Sequence, residues 1–239
     1  MYADSAIASS DLSLERNSAL VVGIGALGCA AASVLAEAGI GRLTLVDHDR
    51  VEASNLQRQI LFDDASIDSP KAVTAATRLV ERAPRSRIVA RVERVDAASV
   101  DRHIETHDVV IDGTDDPQTK YLLNRAAIRR SVPLIYGGVV RTGGVAMAIV
   151  GGDSACLACA FPESPADADL GCDRLGILAP VAGVVGAFQA YLALAWLRGD
   201  HTIAGKLFAY ELRGPRWRQL RLSRSRTCSA CGVAAAPAA

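Results

Sequence analysis

The chain carries a glycine loop, Gly23-Ile24-Gly25-Ala26-Leu27-Gly28, directly after the apolar run Ala19-Leu20-Val21-Val22. Glycines at this spacing let a backbone approach phosphate, and the helix that opens on them presents free N–H groups to it. Asp47 ends the next apolar run, 19 residues beyond Gly28, where an acid accepts hydrogen bonds from ribose hydroxyls. A polar cassette follows: Asp49, then Asn55-Leu56-Gln57-Arg58-Gln59, then Lys71 after Pro70. Arg58 offers a planar fork of donors and Lys71 a mobile point charge. Together they suit the charge of a triphosphate as pyrophosphate leaves, and Asn55 adds a further donor. Hydride transfer from a nicotinamide needs no such cations. Read on spacing alone, the same cations also fit a solvated loop and helix, and the glycines also fit a tight turn with no ligand.

Further along, Gly113-Thr114-Asp115-Asp116-Pro117 follows the apolar run 108–112. In an open sheet, ligands bind outside the carboxyl ends of the strands, so Asp115 can face the same crevice as Gly25 and suits Mg²⁺. Its competing role is a helix cap ahead of Pro117, for which Asp116 is the better placed of the two. Cys156/Cys159 and Cys228/Cys231 form two C-x-x-C pairs with 68 residues between Cys159 and Cys228. Four thiolates make a closed tetrahedral zinc site that would staple a mid-chain loop to the C-terminal region; a redox pair is the alternative. Cys29 reads as core packing. Cys172, between Gly171 and Asp173, is either a loop nucleophile or an incidental cysteine. His48, His103, His107 and His201 show no metal spacing.

These residues need a scaffold, and the hydrophobic pattern supplies one. Strands are predicted at 19–24, 42–47, 87–92, 108–112, 132–139 and 145–150, with helices at 27–38, about 70–82 and 117–130. That alternation predicts an α/β fold: a Rossmann-like, doubly wound, mostly parallel sheet. Residues 151–176 read as an irregular crossover, 177–197 as a long apolar helix, and 207–212 with 217–222 as a terminal antiparallel hairpin. The residues from 233 to 239 read as a frayed tail, and the whole of 1–239 as one domain. The uncharged stretch 177–197 is long enough to span a membrane. Pro180, Gly183, Gly186 and Gln189 within it favour a buried or dimer-interface helix.

Half of the chain is hydrophobic, enough for a sizeable core, and 26 basic residues balance 26 acidic ones. That balance gives no bulk attraction to nucleic acid or anionic membrane, and 5% aromatic residues leave few stacking platforms for single strands. The first 18 residues hold Asp4, Asp11 and Glu15 and lack a basic start before an apolar block, which points to the cytoplasm.

Taken together, Gly23-x-Gly25-x-x-Gly28, Asp47-x-Asp49, Asn55-Leu-x-Arg58-Gln59, Pro70-Lys71, Thr114-Asp115, both C-x-x-C pairs and Leu178-Ala-Pro180 resemble one family over residues 15 to 232. It is the ubiquitin-activating-enzyme-like adenylyltransferases of the ThiF/MoeB/HesA type. The resemblance implies that the C-terminal Gly-Gly carboxylate of a small ubiquitin-like sulfur carrier attacks the α-phosphate of ATP·Mg²⁺, giving an acyl-adenylate for thiamine or molybdopterin synthesis. It implies Asp47 on the ribose; Asn55, Arg58 and Lys71 on the phosphates; Asp115 at the Mg²⁺ or transition-state position; and structural zinc on the four cysteines. Asp49 and Gln59 fall within the same nucleotide-binding motifs. Cys172 matches a crossover cysteine that, in some relatives, receives the acyl group or takes part in sulfur transfer. The resemblance also implies a homodimer and a separate sulfur donor.

The match departs at the N-terminus. Relatives carry an Arg-Tyr-x-Arg-Gln-type segment that lends an arginine to the partner's ATP, and here Arg16 is the one arginine before the first strand. Activation of another peptide C-terminus or of a tRNA base, and a nucleotide-binding partner with impaired catalysis, are the competing readings. A nicotinamide dehydrogenase is a more distant one.

Overall fold

The computed structural model describes residues 14–162 and 176–232. Its centre is an eight-stranded sheet in the order β3-β2-β1-β4-β5-β6-β7-β8. The strands are β1 (Ser18–Val22), β2 (Arg42–Val46), β3 (Arg87–Arg91), β4 (Val109–Asp112), β5 (Leu134–Val140), β6 (Gly143–Ile149), β7 (Lys206–Glu211) and β8 (Arg216–Arg221). The first five pair in parallel, and β5 through β8 pair antiparallel. The helices are α1 (Ala26–Glu37), α2 (Lys71–Arg82), α3 (Val100–Ile104), α4 (Pro117–Arg130), α5 (Leu157–Ala160) and α6 (Ala179–Leu197).

The parallel strands are covered on both faces, which is why they read as continuous apolar runs. Ala19 and Val21 of β1 join one core with α1, α2 and α6; Leu20 and Val22 join the other with α3, α4 and α5. β1 stops earlier than its sequence suggests. Gly23 turns to φ +85°, and a Cβ there would stand 2.8 Å from the Gly113 backbone. Ile24, predicted in the strand, therefore belongs to the loop, although it is fully buried. The short helices α3 and α5 were not legible, because a helix of four or five residues has no room for a 3.6-residue pattern.

α6 is apolar all round, yet it is a helix of the core. Gly186 lets it approach α1 so closely that a Cβ would stand 2.4 Å from the Leu27 carbonyl oxygen. Gln189 is fully buried and donates to the carbonyls of Asp112 (2.8 Å) and Ile135 (3.0 Å) on the sheet. Its outer side is less covered: Tyr191 is 54% exposed and stacks on Phe188, which also packs against Trp217 of β8.

Candidate functional site: a nucleotide cleft at the β1/β4 crossover

The strand order reverses between β1 and β4, the place where an open α/β sheet leaves a crevice. Backbone packs on backbone there. A Cβ on Gly28 would stand 1.9 Å from the Gly23 carbonyl oxygen, and one on Gly113 2.4 Å from the same atom. Gly25 differs: a Cβ there meets nothing nearer than 3.9 Å, so its missing side chain leaves space open to the cleft. Gly25 also caps α1 without a side-chain hydrogen bond, leaving first-turn N–H groups for a ligand. Asp47 fastens this loop to the end of β2. Its Oδ2 accepts from Ile24 N (2.6 Å) and its Oδ1 from Asp49 N (2.8 Å), while burial pushes its carboxyl above the usual range.

A 3-10 turn at Ala53–Asn55 sets the cations of the cassette. The Asn55 carbonyl accepts from Arg58 N and Gln59 N, both at 3.0 Å, and Arg58 Nη1 donates to the Ser54 carbonyl at 2.9 Å. Pro70 is the N-cap of α2 and Lys71 its first residue. Lys71 Nζ lies 3.0 Å from Asp49 Oδ2, with the lysine side chain 9% exposed and the aspartate 51%. Asp115 is exposed at the far wall, because Asp116 takes the capping role, accepting from Gln118 N (3.3 Å) and Thr119 N (2.9 Å).

Gly23, Gly25, Asp47, Asp49, Arg58, Gln59, Lys71 and Asp115 thus line one cleft of about 430 Å³. Gly28 and Asn55 do not line it. Gly28 serves backbone packing, and Asn55 is buried in the turn it organises, with its Oδ1 unpartnered among the described residues. Gln59 Oε1 is likewise buried without a partner among the described residues. Cys172 lies outside the described residues. Cys29 is buried in the core, and burial pushes its thiol up to about 12.

Sequence reasoning missed Lys120, which lines the cleft, and Asp112, which lies buried behind it. Asp112, fully buried at the end of β4, accepts from Lys120 Nζ at 3.0 Å and from the Thr114 backbone and hydroxyl. Lys120 Nζ also donates to the Gly137 carbonyl at 2.7 Å. The pair spans a strand, a turn and a helix, so no local spacing announces it. Lys120 and Asp115 also line a second, more apolar groove of about 810 Å³ that runs over β5 to β8.

The four paired cysteines converge at the other end of the sheet. Sγ separations are 3.8 Å for Cys156–Cys159, 3.6 Å for Cys156–Cys228 and 3.4 Å for Cys159–Cys231, with all four sulfurs within 4.8 Å of one another. Metal–sulfur bonds of about 2.3 Å in a tetrahedron give edges of about 3.8 Å. A disulfide would need about 2.05 Å. The donor set and its spacing fit a closed four-thiolate zinc site, supported by Ser225 N donating to Cys159 Sγ at 3.4 Å. Cys228→Ser is expected to remove the metal, from about one zinc per chain, and to lower Tm by about 10 °C. Metal analysis and calorimetry check both.

The model of the ThiF family matches residues 5–232. The chain belongs to the ThiF family. This ThiF-family chain is 36% identical over 214 residues to the sulfur carrier protein ThiS adenylyltransferase of Escherichia coli, covering 89% of this chain and 85% of that one. It is 36% identical over 224 residues to the molybdopterin-synthase adenylyltransferase of the same organism, covering 92% and 88%. The solved structure of E. coli MccB with MccA-N7isoASN shares the fold at a TM-score of 0.82 and 23% identity, covering 92% of this chain and 68% of that one. As a member of the ThiF family it is an ATP-using adenylyltransferase.

Proposed function

We propose that this chain adenylates the C-terminal Gly-Gly carboxylate of a small ubiquitin-like sulfur carrier. One observation carries the reading. The cleft that gathers the glycine loop, Arg58 and Lys71 opens at Asp115 and Lys120 into an apolar groove, so a nucleotide and an extended tail can meet end to end. The names of the relatives, each 36% identical, agree with it.

In this reading Asp47 accepts from the ribose, and the open space at Gly25 admits the phosphates. Arg58, Gln59 and Lys71 hold the phosphates, with Asn55 keeping Arg58 and Gln59 in place. A carboxylate oxygen of the carrier attacks the α-phosphorus, the bond to the β-phosphate bridging oxygen breaks, and its electron pair leaves with pyrophosphate. No general base is needed, since the nucleophile is already an anion. Catalysis is alignment and neutralisation of charge. Asp115, an exposed carboxylate at the cleft wall, is the group that would hold Mg²⁺, which would supply charge neutralisation on the phosphates. The aromatic surface of Phe188, Tyr191 and Trp217 on α6 and β8 supports a homodimer.

The experiment is to trap the product. Incubated with ATP and a Gly-Gly-ending carrier, the enzyme should yield a carrier C-terminal hydroxamate when hydroxylamine is added, read by mass spectrometry. A carrier recovered unmodified from every such mixture contradicts the proposal.

A further inference from the structure

The groove beside the nucleotide cleft is apolar along its floor and charged along one rim. Tyr136, Val145 and Phe161 lie on its apolar side, while Arg213, Arg216 and Arg218 line its β7–β8 end. The placement follows from strand register. Glu211 pairs with Arg216 and Ala209 with Arg218, so both arginines project from the groove face of β8. Trp217 between them projects to the other face, where it packs on Phe188 and Tyr210. β8 is the exposed edge strand. Glu211 lines the same end of the groove, beside Arg213 and opposite Arg216, and offsets part of their charge, so that end keeps an excess of positive charge.

Edge strands often carry charge simply to discourage pairing with other chains. That role does not call for the charges to gather on one face. Here they gather where an apolar channel leads to Asp115 and Lys120, the residues it shares with the nucleotide cleft. A peptide laid along this floor would bring its terminal carboxylate to the cleft and its upstream residues to the arginines. Guanidinium groups in excess over carboxylates at a rim favour carboxylates on a partner, and they act mainly on partner choice and encounter rate.

We infer that Arg213, Arg216 and Arg218 form an electrostatic selector for a protein partner whose extended C-terminal segment fills the groove and whose surface just upstream is acidic. The inference rests on the reading that a C-terminal carboxylate is the acyl substrate.

Two fluorescently labelled peptides ending in Gly-Gly test it on the full chain, one with glutamates upstream and one with glutamines in their place. Anisotropy should show the acidic peptide binding about 10-fold tighter at low salt, with the ratio falling toward one at high salt. Arg216→Glu/Arg218→Glu should abolish or invert the preference while the Tm shift on adding ATP persists. Arg221→Glu, in the same strand but out of register with the groove face, should keep it. Equal binding of the two peptides, binding of neither, or an unchanged preference in the double variant overturns the inference. Carrier-dependent adenylation by the wild-type enzyme is scored apart, so failure of the reaction and failure of the selector are told from one another.

Discussion

Lys71→Ala is expected to lower carrier-dependent ATP–pyrophosphate exchange by about 10²–10³-fold while shifting Tm little. Lys71 is nearly buried at the start of α2, with Asp49 as its ion-pair partner. Asp49 is half exposed, so removing the lysine returns that carboxylate to water rather than stranding it. The fold therefore loses little. In the proposed reaction, the enzyme would lose a preorganised cation at the point where negative charge builds on the departing pyrophosphate. Exchange kinetics and a melting curve measured on the same preparation check the separation. A variant with near-wild-type exchange would remove Lys71 from the phosphate site.

Lys120→Met is expected to act the other way round, through stability. It would leave Asp112, fully buried, with no cationic partner, and breaking a buried pair on one side costs about 3 kcal/mol or more. Thr114 still donates to Asp112 Oδ1, which keeps the loss near the lower end of that range. Asp112→Asn/Lys120→Met should recover much of the stability, because neither charge then remains buried alone. Urea denaturation of the two variants checks it. Equal stability of Lys120→Met and wild type would show that the pair does not hold the β4–α4 turn.

Much of this was legible in the residues because their local rules and the fold agree. The glycine loop sits between β1 and α1, Pro70 opens α2, Asp116 caps α4, and the spacing of the two C-x-x-C pairs anticipates four sulfurs drawn together from distant segments. What escaped depends on contacts that no local pattern encodes. Asp112 meets Lys120 only after β4 and α4 have packed, and Gln189 reaches the sheet only because α6 lies across β4 and β5. Asn55 shows the converse. Its type and spacing place it in the site, but the 3-10 turn buries it behind Arg58, where it shapes the site instead of lining it. The groove was hidden for the same reason, since its floor and rim come from segments as far apart as Tyr136 and Arg218.

In the proposed function the cleft transfers AMP to a protein carboxylate. The most direct measurement is the incorporation of radiolabelled pyrophosphate into ATP by the wild-type enzyme, with and without a carrier ending in Gly-Gly. Label should enter ATP only when the carrier is present, and a carrier lacking its terminal glycine pair should give none. Exchange that proceeds equally without a carrier, or that fails with every Gly-Gly carrier while ATP still raises the Tm, would contradict it.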